Sequence, residues 1–371
     1  MSESTASATD LKRTAFYDMH VAAGAKIVPF AGFEMPVSYR GIVAEHAAVR
    51  ERVGIFDVSH MGEVEVKGPR ALEFIQKLTV NDASTLAIGQ AQYSAMCRPN
   101  GGIVDDLLVY RRGDEDYMLV INGANVEKDL AWMQENVLDD MTLRDVSDDT
   151  SLLAVQGPRA LDVVQQLADQ DLSGVEYYHF VEGTIDGVPA IISRTGYTGE
   201  LGFELYFASD AATGEKIWKR LMEVGAEHGI EPAGLGARDT LRLEMGYCLY
   251  GNDLDETINP IEAGLGWITK TAKEEFNGRE PIVQVKTEKP KRKLVGFRMN
   301  ERGIPRHGYP LVQGEEEIGV VTSGTSSPTL GEGIGMGFVR SDLATPGTEI
   351  GVRIRDRVIP ATVVKMPFLK K

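Results

Sequence analysis

The sequence predicts a mixed α+β protein, with two α+β units of similar plan followed by an all-β domain at the C-terminal end. Apolar residues recur with the helical period in some segments and alternate in others, and the two kinds of segment interleave over most of the chain. The segment Gly-Pro-Arg-Ala-Leu occurs twice, beginning at Gly68 and at Gly157. Beyond Gly278 the pattern changes to short apolar strands separated by Gly, Pro and Ser, which is typical of an all-β domain.

The first round of elements contains three predicted helices, at residues 42–52, 69–78 and 125–137. Asn125 is suited to begin the third helix, because its side chain can accept hydrogen bonds from the free N–H groups of the first turn. Apolar or alternating runs predict the strands of this round at residues 62–66, 107–110 and 117–121.

The second round repeats helix and strand in a similar way. It consists of a strand and turn at residues 152–158, strands at 190–193 and 203–207, and helices at 159–168 and 214–228. The two Gly-Pro openings stand at matching places in the two rounds. We therefore expect two α+β units of similar plan.

The last part of the chain has strand patterns only. Apolar runs predict strands at residues 294–297, 318–321, 334–339 and 361–364. Residues 285–293, which precede them, are rich in Lys and Glu, and we expect them to form the linker into the β domain.

Composition limits the class of protein. With 371 residues and 43% hydrophobic content, the chain can bury more than one sizeable core. Its formal net charge of -16 argues against nucleic acid or an anionic membrane as a partner, because phosphate binding needs a concentrated basic surface. No apolar stretch approaches the roughly 20 residues that cross a bilayer. Since residues 1–6 also lack a secretory or transit pattern, we expect a cytoplasmic protein.

The cysteines and the short motifs make several cofactors unexpected. Cys97 and Cys248 are too few for a disulfide framework and lack metal-ligand spacing, so we expect buried free thiols. The chain has no His-Glu-x-x-His, no Cys-x-x-Cys, no phosphate-binding Gly-x-x-x-x-Gly-Lys loop and no dinucleotide-binding glycine motif at a strand-to-helix turn. We expect no metal, no flavin and no nicotinamide.

Residues 194–204 form the most informative segment. Three glycines and Tyr197 lie between two apolar runs, which predicts a tight bend that returns Glu204 to the neighbourhood of Tyr197. A carboxylate there can accept two parallel N–H donors, such as those on the 2-amino-4-oxo edge of a pterin. The alternative is an ordinary hairpin whose acid faces water.

Five segments of the chain form a recognisable series. They are residues 57–63 (Asp-Val-Ser-His-Met-Gly-Glu), 100–107 (Asn-Gly-Gly-Ile-Val-Asp-Asp-Leu), 194–204, 234–239 (Gly-Leu-Gly-Ala-Arg-Asp) and 322–331. Taken together and in this order, they resemble the aminomethyltransferase, or T-protein, family of the glycine cleavage system. The resemblance extends from Arg13 to about Phe368, and its specificity lies in the combination and the order.

This resemblance implies a reaction and an architecture. The family transfers the methylene of an aminomethyl group, carried on the lipoyl arm of H-protein, to tetrahydrofolate as co-substrate. The products are 5,10-methylenetetrahydrofolate, ammonia and dihydrolipoyl H-protein. The implied fold is a ring of three domains with folate in the central opening. Its units would be a discontinuous α+β domain at residues 1–55 plus 145–275, an α+β (ferredoxin-like) domain at 56–144, and a β barrel or jelly-roll-like domain at 285–371.

The resemblance assigns the catalytic role to Asp106. This residue matches the second aspartate of the family's Gly-Gly-x-x-Asp-Asp motif, the acid beside the reactive folate nitrogens. We expect Asp106 to follow the turn at Gly101 and Gly102 and to begin a strand, a rigid position for a carboxylate. Asp105 would point to the opposite face as a solvated or turn-capping acid. A purely structural turn role is the alternative for Asp106.

The folate-binding residues follow in the same way. Glu204 matches the family's pterin-edge acid, Tyr197 the tyrosine of the same loop, and Arg238 the arginine that contacts folate. Met61 and Tyr93 match positions that line the pocket. Each has a structural alternative, because Met and Tyr on strands are often core residues and Arg can form a local ion pair on its own helix.

One position departs from the family, and three related readings stay open. Leu201 stands where many relatives have Asp, a change we place on the outer loop.

Dimethylglycine and sarcosine dehydrogenases share a folate domain, but they carry a fused flavin region that this chain lacks. A folate-binding protein of iron–sulfur cluster assembly uses a Lys-Gly-Cys-Tyr-type motif, whereas this chain has Thr195-Gly196-Tyr197. The third alternative is a folate-binding module without catalysis.

Overall fold

The computed structural model describes residues 11–370, and helices are interspersed among the strands of this part of the chain up to the C-terminal region. The α-helices are α1 (Tyr17–Ala22), α2 (Ile42–Glu51), α3 (Ala71–Leu78), α4 (Val126–Glu135), α5 (Ala160–Val164), α6 (Ala211–Gly225), α7 (Leu235–Glu244) and α8 (Arg279–Glu288). The first strands are β1 (Lys26–Phe30), β2 (Phe33–Ser38), β3 (Val53–Asp57), β4 (Gly62–Lys67), β5 (Gln90–Cys97), β6 (Ile103–Arg111), β7 (Asp116–Ile121), β8 (Thr142–Asp145), β9 (Thr150–Gln156), β10 (Phe180–Ile185), β11 (Val188–Ser193), β12 (Gly202–Ala208) and β13 (Ile230–Pro232). The later strands are β14 (Arg292–Met299), β15 (Pro310–Gln313), β16 (Glu316–Ser326), β17 (Gly333–Arg340), β18 (Glu349–Ile354) and β19 (Arg357–Val364).

The described residues fall into two compact units. The first takes in residues 11–71, 86–92 and 108–238, and the second takes in residues 72–85, 93–107 and 239–370. The three domain boundaries expected from the sequence stay a prediction.

A six-stranded sheet forms the centre of the first unit. Its strand order is β10-β11-β12-β9-β3-β13, and only the pairing of β13 with β3 is parallel. Strand β3 is buried along its whole length, because it lies inside this order. Helix α6 presents Ile217, Trp218 and Leu221 to the same apolar core, which also contains Phe203 and Leu205 of β12. The rigid sheet therefore carries the residues of β12 at fixed positions.

The two Gly-Pro openings occupy equivalent places, as the repeat predicts. Gly68 follows β4 and precedes α3 with a φ of 122°, and Gly157 follows β9 and precedes α5 with a φ of 133°. A Cβ atom at Gly68 would lie 2.5 Å from the carbonyl oxygen of Asp140, and one at Gly157 would lie 2.6 Å from that of Arg52. Only glycine tolerates both constraints, so the repeated segment marks the same strand-to-helix turn twice.

A closed barrel of six antiparallel strands ends the chain. The strands follow the order β14-β17-β16-β15-β18-β19, and β19 pairs back onto β14. Apolar side chains fill its interior, among them Phe297, Leu311, Val352 and Ala361. The barrel, following a region of mixed helix and strand, confirms the α+β fold class with a C-terminal β-barrel.

The prediction of a linker at residues 285–293 is wrong for residues 285–288. Helix α8 extends to Glu288, so only three residues separate it from β14. Ile282 is buried and anchors the helix, while Lys286 and Glu288 are exposed. The charged side chains that suggested a linker are the solvent face of a helix.

Candidate functional site

The glycine-rich segment is the connection of a β-hairpin. Strand β11 ends at Ser193 and β12 begins at Gly202, and Ser193 is the register partner of Glu204. Gly199 in the connection has a φ of 75°, a conformation that favours glycine. The bend predicted from the sequence is therefore present. Glu204 is only 8% exposed, so the alternative in which its acid simply faces water does not hold.

The carboxyl group of Glu204 is a buried acceptor. The Thr195 hydroxyl donates a short hydrogen bond to Oε2, and Oε1 receives none from the described residues. Burial raises the pKa of Glu204, while the Thr195 hydrogen bond and the positive charge of Arg238 act in the opposite direction. An incoming pair of N–H donors would find an acceptor oxygen that no described side chain uses.

Arg238 and Tyr197 lie together. The guanidinium carbon of Arg238 is 4.7 Å from the centroid of the Tyr197 ring, within the range of a cation–π contact. The residue after it, Asp239, pairs with Arg242 at 2.8 Å. Within the first unit, Arg238 therefore contacts Tyr197, and its charge lowers the pKa of Glu204.

Met61 lies in the turn between β3 and β4. Its N–H donates to the carbonyl oxygen of Val58, and its side chain is half-buried. The preceding residue, His60, is buried, and burial lowers its pKa to about 4, with a further contribution from the charge of Arg238. This turn is therefore within electrostatic range of Arg238.

The second unit holds Asp106 and Tyr93. The Tyr93 hydroxyl donates a hydrogen bond of 2.8 Å to Oδ2 of Asp106. Asp106 is half-buried on β6, and Tyr93 lies on β5. The ring of Tyr93 stacks on Trp267, with centroids 6.1 Å apart and an interplanar angle of 28°. The structure therefore gives Asp106 a defined orientation beside an aromatic pair.

The turn that precedes Asp106 requires glycine. Gly101 has a φ of 85°, and a Cβ atom at Gly102 would lie 1.8 Å from the carbonyl oxygen of Glu256. The strand starts earlier than expected, at Ile103, so Asp106 is inside β6 and does not begin it.

The expectation for Asp105 is correct in direction and wrong in exposure. Because the strand has already begun, Asp105 and Asp106 point to opposite faces, and Asp105 is completely buried. It is not a solvated acid.

Two residues of this region were not predicted. Trp267 belongs to a 3-10 helix, Leu265–Trp267, and its side chain is 63% exposed although it is a large hydrophobic group. A lone Trp in a Gly-rich stretch carries no pattern that would link it to Tyr93. Thr195 lies in the hairpin connection, two residues after Ser193, which is the register partner of Glu204. A hydroxyl residue at this position is the signal that could have identified it.

The last of the five segments, residues 322–331, has a structural role. Thr322 and Ser323 donate to the buried carboxylate of Asp253, and Ser327 and Thr329 donate to that of Glu244. The hydroxyl residues of this segment satisfy two buried acids, which is required when a carboxylate leaves water.

Both cysteines are buried free thiols, as predicted. Burial raises the pKa of Cys97 and of Cys248, so neither has the properties of a reactive thiolate.

Between residues 11 and 370, no group of three His, Cys, Asp or Glu side chains is arranged to hold a metal ion. In the same described range, none of the helices combines the length and the apolar character that crossing a membrane requires.

Two family models match the chain. One, described as the GCVT N-terminal domain, covers residues 16–273. The other, described as the glycine cleavage T-protein C-terminal barrel domain, covers residues 292–370 and so coincides with the closed barrel.

Relatives and a solved structure agree with these matches. The chain is 55% identical over 363 residues to an aminomethyltransferase of Bacteroides thetaiotaomicron, covering 97% of this chain and 100% of that protein. It is 50% identical over 359 residues to an aminomethyltransferase of Halothermothrix orenii, again covering 97% and 100%. The crystal structure of glycine cleavage system aminomethyltransferase T from Bartonella henselae superimposes with a TM-score of 0.90 at 34% identity, covering 97% of this chain and 98% of that one.

Proposed function

The chain belongs to the glycine cleavage T-protein family of folate-dependent aminomethyltransferases, and from this membership we propose how its own residues carry the reaction. The donor is an aminomethyl group bound through sulfur to the lipoyl arm of H-protein, and the acceptor is tetrahydrofolate. Two bonds of the methylene carbon break, to nitrogen and to sulfur, and two form, to N5 and N10 of the folate. Ammonia, dihydrolipoyl H-protein and 5,10-methylenetetrahydrofolate leave.

This reaction does not require a covalent intermediate with the protein. A carbon bonded to both sulfur and nitrogen is already able to expel either group, so the protein needs to position the folate nitrogens and manage protons. Carboxylates on rigid strands suit both tasks. The observation that carries the proposal is the pair of carboxylates in two different settings, Asp106 held by Tyr93 and Glu204 buried against Thr195.

Asp106 serves the reacting centre. A positive charge develops on the methylene and its nitrogen when ammonia leaves, and a carboxylate aimed at that position stabilises it. The hydrogen bond from Tyr93 holds one oxygen of Asp106, so the group does not need to reorient during the reaction. The same carboxylate is suited to take a proton from a folate nitrogen as it attacks.

Glu204 serves recognition. The folate edge fits the residues here, because the pterin offers parallel N–H donors and Oε1 of Glu204 accepts no hydrogen bond from the described residues. The Arg238 charge keeps this buried acid closer to its ionised form. Tyr197, paired with Arg238, offers a flat ring to the pterin, and Met61 offers an adaptable thioether. Tyr93 has a second role as a wall of the folate pocket.

H-protein as the partner, the cytoplasmic location and the three-domain division at residues 1–55 plus 145–275, 56–144 and 285–371 are parts of the same proposal. The match to the barrel domain of the glycine cleavage T-protein supports H-protein as the partner.

An assay that follows two products tests the proposed function. The purified chain is mixed with tetrahydrofolate and an aminomethylated lipoyl carrier protein, and ammonia release and methylenetetrahydrofolate formation are measured together. We expect both products in equal amounts. A carrier with a lipoyl arm that lacks the aminomethyl group is the control and should give neither. Folate binding without either product would replace this proposal with a non-catalytic folate-binding module.

A further inference from the structure

Four hydroxyl groups form a buried network behind Glu204, here called the hydroxyl cluster: Tyr110, Ser193, Thr195 and Tyr206. The Tyr110 hydroxyl lies 3.1 Å from Ser193 Oγ, 3.1 Å from Thr195 Oγ1 and 3.0 Å from the Tyr206 hydroxyl. Thr195 Oγ1 is also 2.9 Å from Ser193 Oγ and contacts Oε2 of Glu204. Tyr110 is thus the centre of a network that ends on the carboxylate.

The hydroxyl cluster is out of contact with solvent. Tyr110 and Ser193 are completely buried, Thr195 is 2% exposed and Tyr206 is 3% exposed. The rings of Tyr110 and Tyr206 meet edge to face, with centroids 5.7 Å apart. Their ring packing and their hydroxyl contacts are therefore separable, because Phe preserves the first and removes the second.

Counting protons gives the direction of these hydrogen bonds while Glu204 is ionised. A carboxylate only accepts hydrogen bonds, so Thr195 donates its single hydroxyl proton to Glu204. Thr195 then accepts from Ser193 or Tyr110. Tyr206, whose hydroxyl is in contact with Tyr110, donates towards it. Every hydroxyl of the cluster can therefore point its dipole towards the carboxylate.

The charged and titratable groups that face Glu204 come from several elements. Arg238 on α7 favours the ionised carboxylate. Glu63 on β4 acts against it, and burial, with contributions from Asp145 and Glu204, raises the pKa of Glu63 well above its ordinary value, which weakens this opposition. Burial also raises the pKa of both Tyr110 and Tyr206, which keeps these hydroxyls protonated as donors.

We propose that Tyr110 is a positioning residue for folate recognition, which acts through Thr195 to hold Glu204 as an oriented, ionised acceptor. The inference rests on the proposed role of Glu204 at the pterin edge. Tyr110 itself contacts no folate in this proposal. Without its hydroxyl, Thr195 loses a donor, its own proton is free to turn towards Ser193, and the buried carboxylate loses support for its charge.

The test compares Tyr110→Phe with a matched control, Tyr117→Phe. Tyr117 is also completely buried in the first unit, but its hydroxyl has no hydrogen-bond partner among residues 11–370. Tetrahydrofolate affinity is measured anaerobically by calorimetry across about pH 5 to 8, together with KM and kcat. We expect Tyr110→Phe to weaken affinity roughly fivefold at neutral pH, the size of one lost buried hydrogen bond. The pH at which affinity falls should move upwards, and kcat should change little.

Tyr117→Phe should leave affinity and pH profile as in the unaltered protein. If Tyr110→Phe behaves in the same way while Glu204→Gln loses folate affinity, the inference is overturned and the role of Glu204 stands. If Glu204→Gln keeps full affinity, the pterin assignment fails and the inference fails with it. Should Tyr110→Phe fold poorly, Thr195→Val and Thr195→Ser replace it: Val should weaken affinity and Ser, which keeps the donor, should restore it, and equal affinities would overturn the inference.

Discussion

Oδ2 of Asp106 accepts a hydrogen bond of 2.8 Å from the hydroxyl of Tyr93, so the residue assigned to catalysis and a residue assigned to folate binding are in direct contact. One donor on one oxygen orients the carboxylate. The stacking of Tyr93 on Trp267 restricts the donor in turn. The two assignments are therefore coupled through one hydrogen bond.

Asp106→Asn should slow turnover by roughly 10²–10⁴-fold, the usual range for the loss of a proton-handling group, while the folded state and folate affinity remain nearly unchanged. The amide keeps the shape of the side chain but cannot stabilise a developing positive charge. Steady-state assays with aminomethylated carrier check this. Asp114→Asn removes an acid that is 86% exposed and serves as the control. Turnover equal to that of the control would remove Asp106 from the mechanism.

Tyr93→Phe should reduce kcat by roughly three- to tenfold, because one hydrogen bond to a charged group is lost while the ring and its stacking on Trp267 remain. When Asp106→Asn is already present, Tyr93→Phe should lower kcat by a much smaller factor, since the two groups act together. A double-mutant cycle on kcat measures this. Fully additive effects would show that the hydrogen bond does not contribute to turnover.

The fold was largely predictable because local periodicity and the repeated Gly-Pro segment survive in the tertiary structure. Helix α2 and strand β4 lie within a residue or so of their predicted bounds. Helix α8 was missed because only Ile282 on it is fully buried, and a single buried residue leaves no periodic stripe in the sequence. The buried state of Asp105 was missed because two adjacent acids after two glycines look like a turn.

The candidate site was predictable only in part. The hairpin register places Thr195 near Glu204, so that contact follows from local structure. By contrast, Tyr110 reaches Ser193 across 83 positions of sequence, and no local pattern contains that information. Contacts of this kind depend on how sheets pack, which the pattern of one chain does not specify.

Asp253→Ala should destabilise the protein by about 3–5 kcal/mol, because it removes the buried carboxylate that pairs with Arg242 and accepts from Thr322 and Ser323. Arg242 is 1% exposed and Asp253 is completely buried, with a 2.8 Å contact between them. Chemical denaturation followed by tryptophan fluorescence measures the change. The matched control, Glu317→Ala, breaks an exposed pair with Arg353 and should cost less than about 1 kcal/mol. Similar losses in both variants would contradict this account of the buried pair.

His60 should make the protein less stable as the pH falls from about 6.5 to 4. Its ring is buried against Phe30, with centroids 5.1 Å apart, and Nδ1 has no hydrogen-bond partner among the described residues. Burial, aided by the charge of Arg238, lowers the pKa from 6.5 to about 4, so in this window the unfolded chain binds a proton that the folded one does not. The loss should be on the order of 3 kcal/mol and be complete near pH 4.

His60→Gln checks this origin of acid sensitivity, because it removes the titrating group and keeps a polar side chain. The free energy of unfolding is measured by denaturant titration at several pH values between 4 and 7.5 for both proteins. We expect the variant to be less stable near neutral pH, where the neutral imidazole packs well, and to lose less stability on acidification. The two curves should therefore converge or cross as the pH falls. Parallel curves across the whole range would mean that another group takes up the proton.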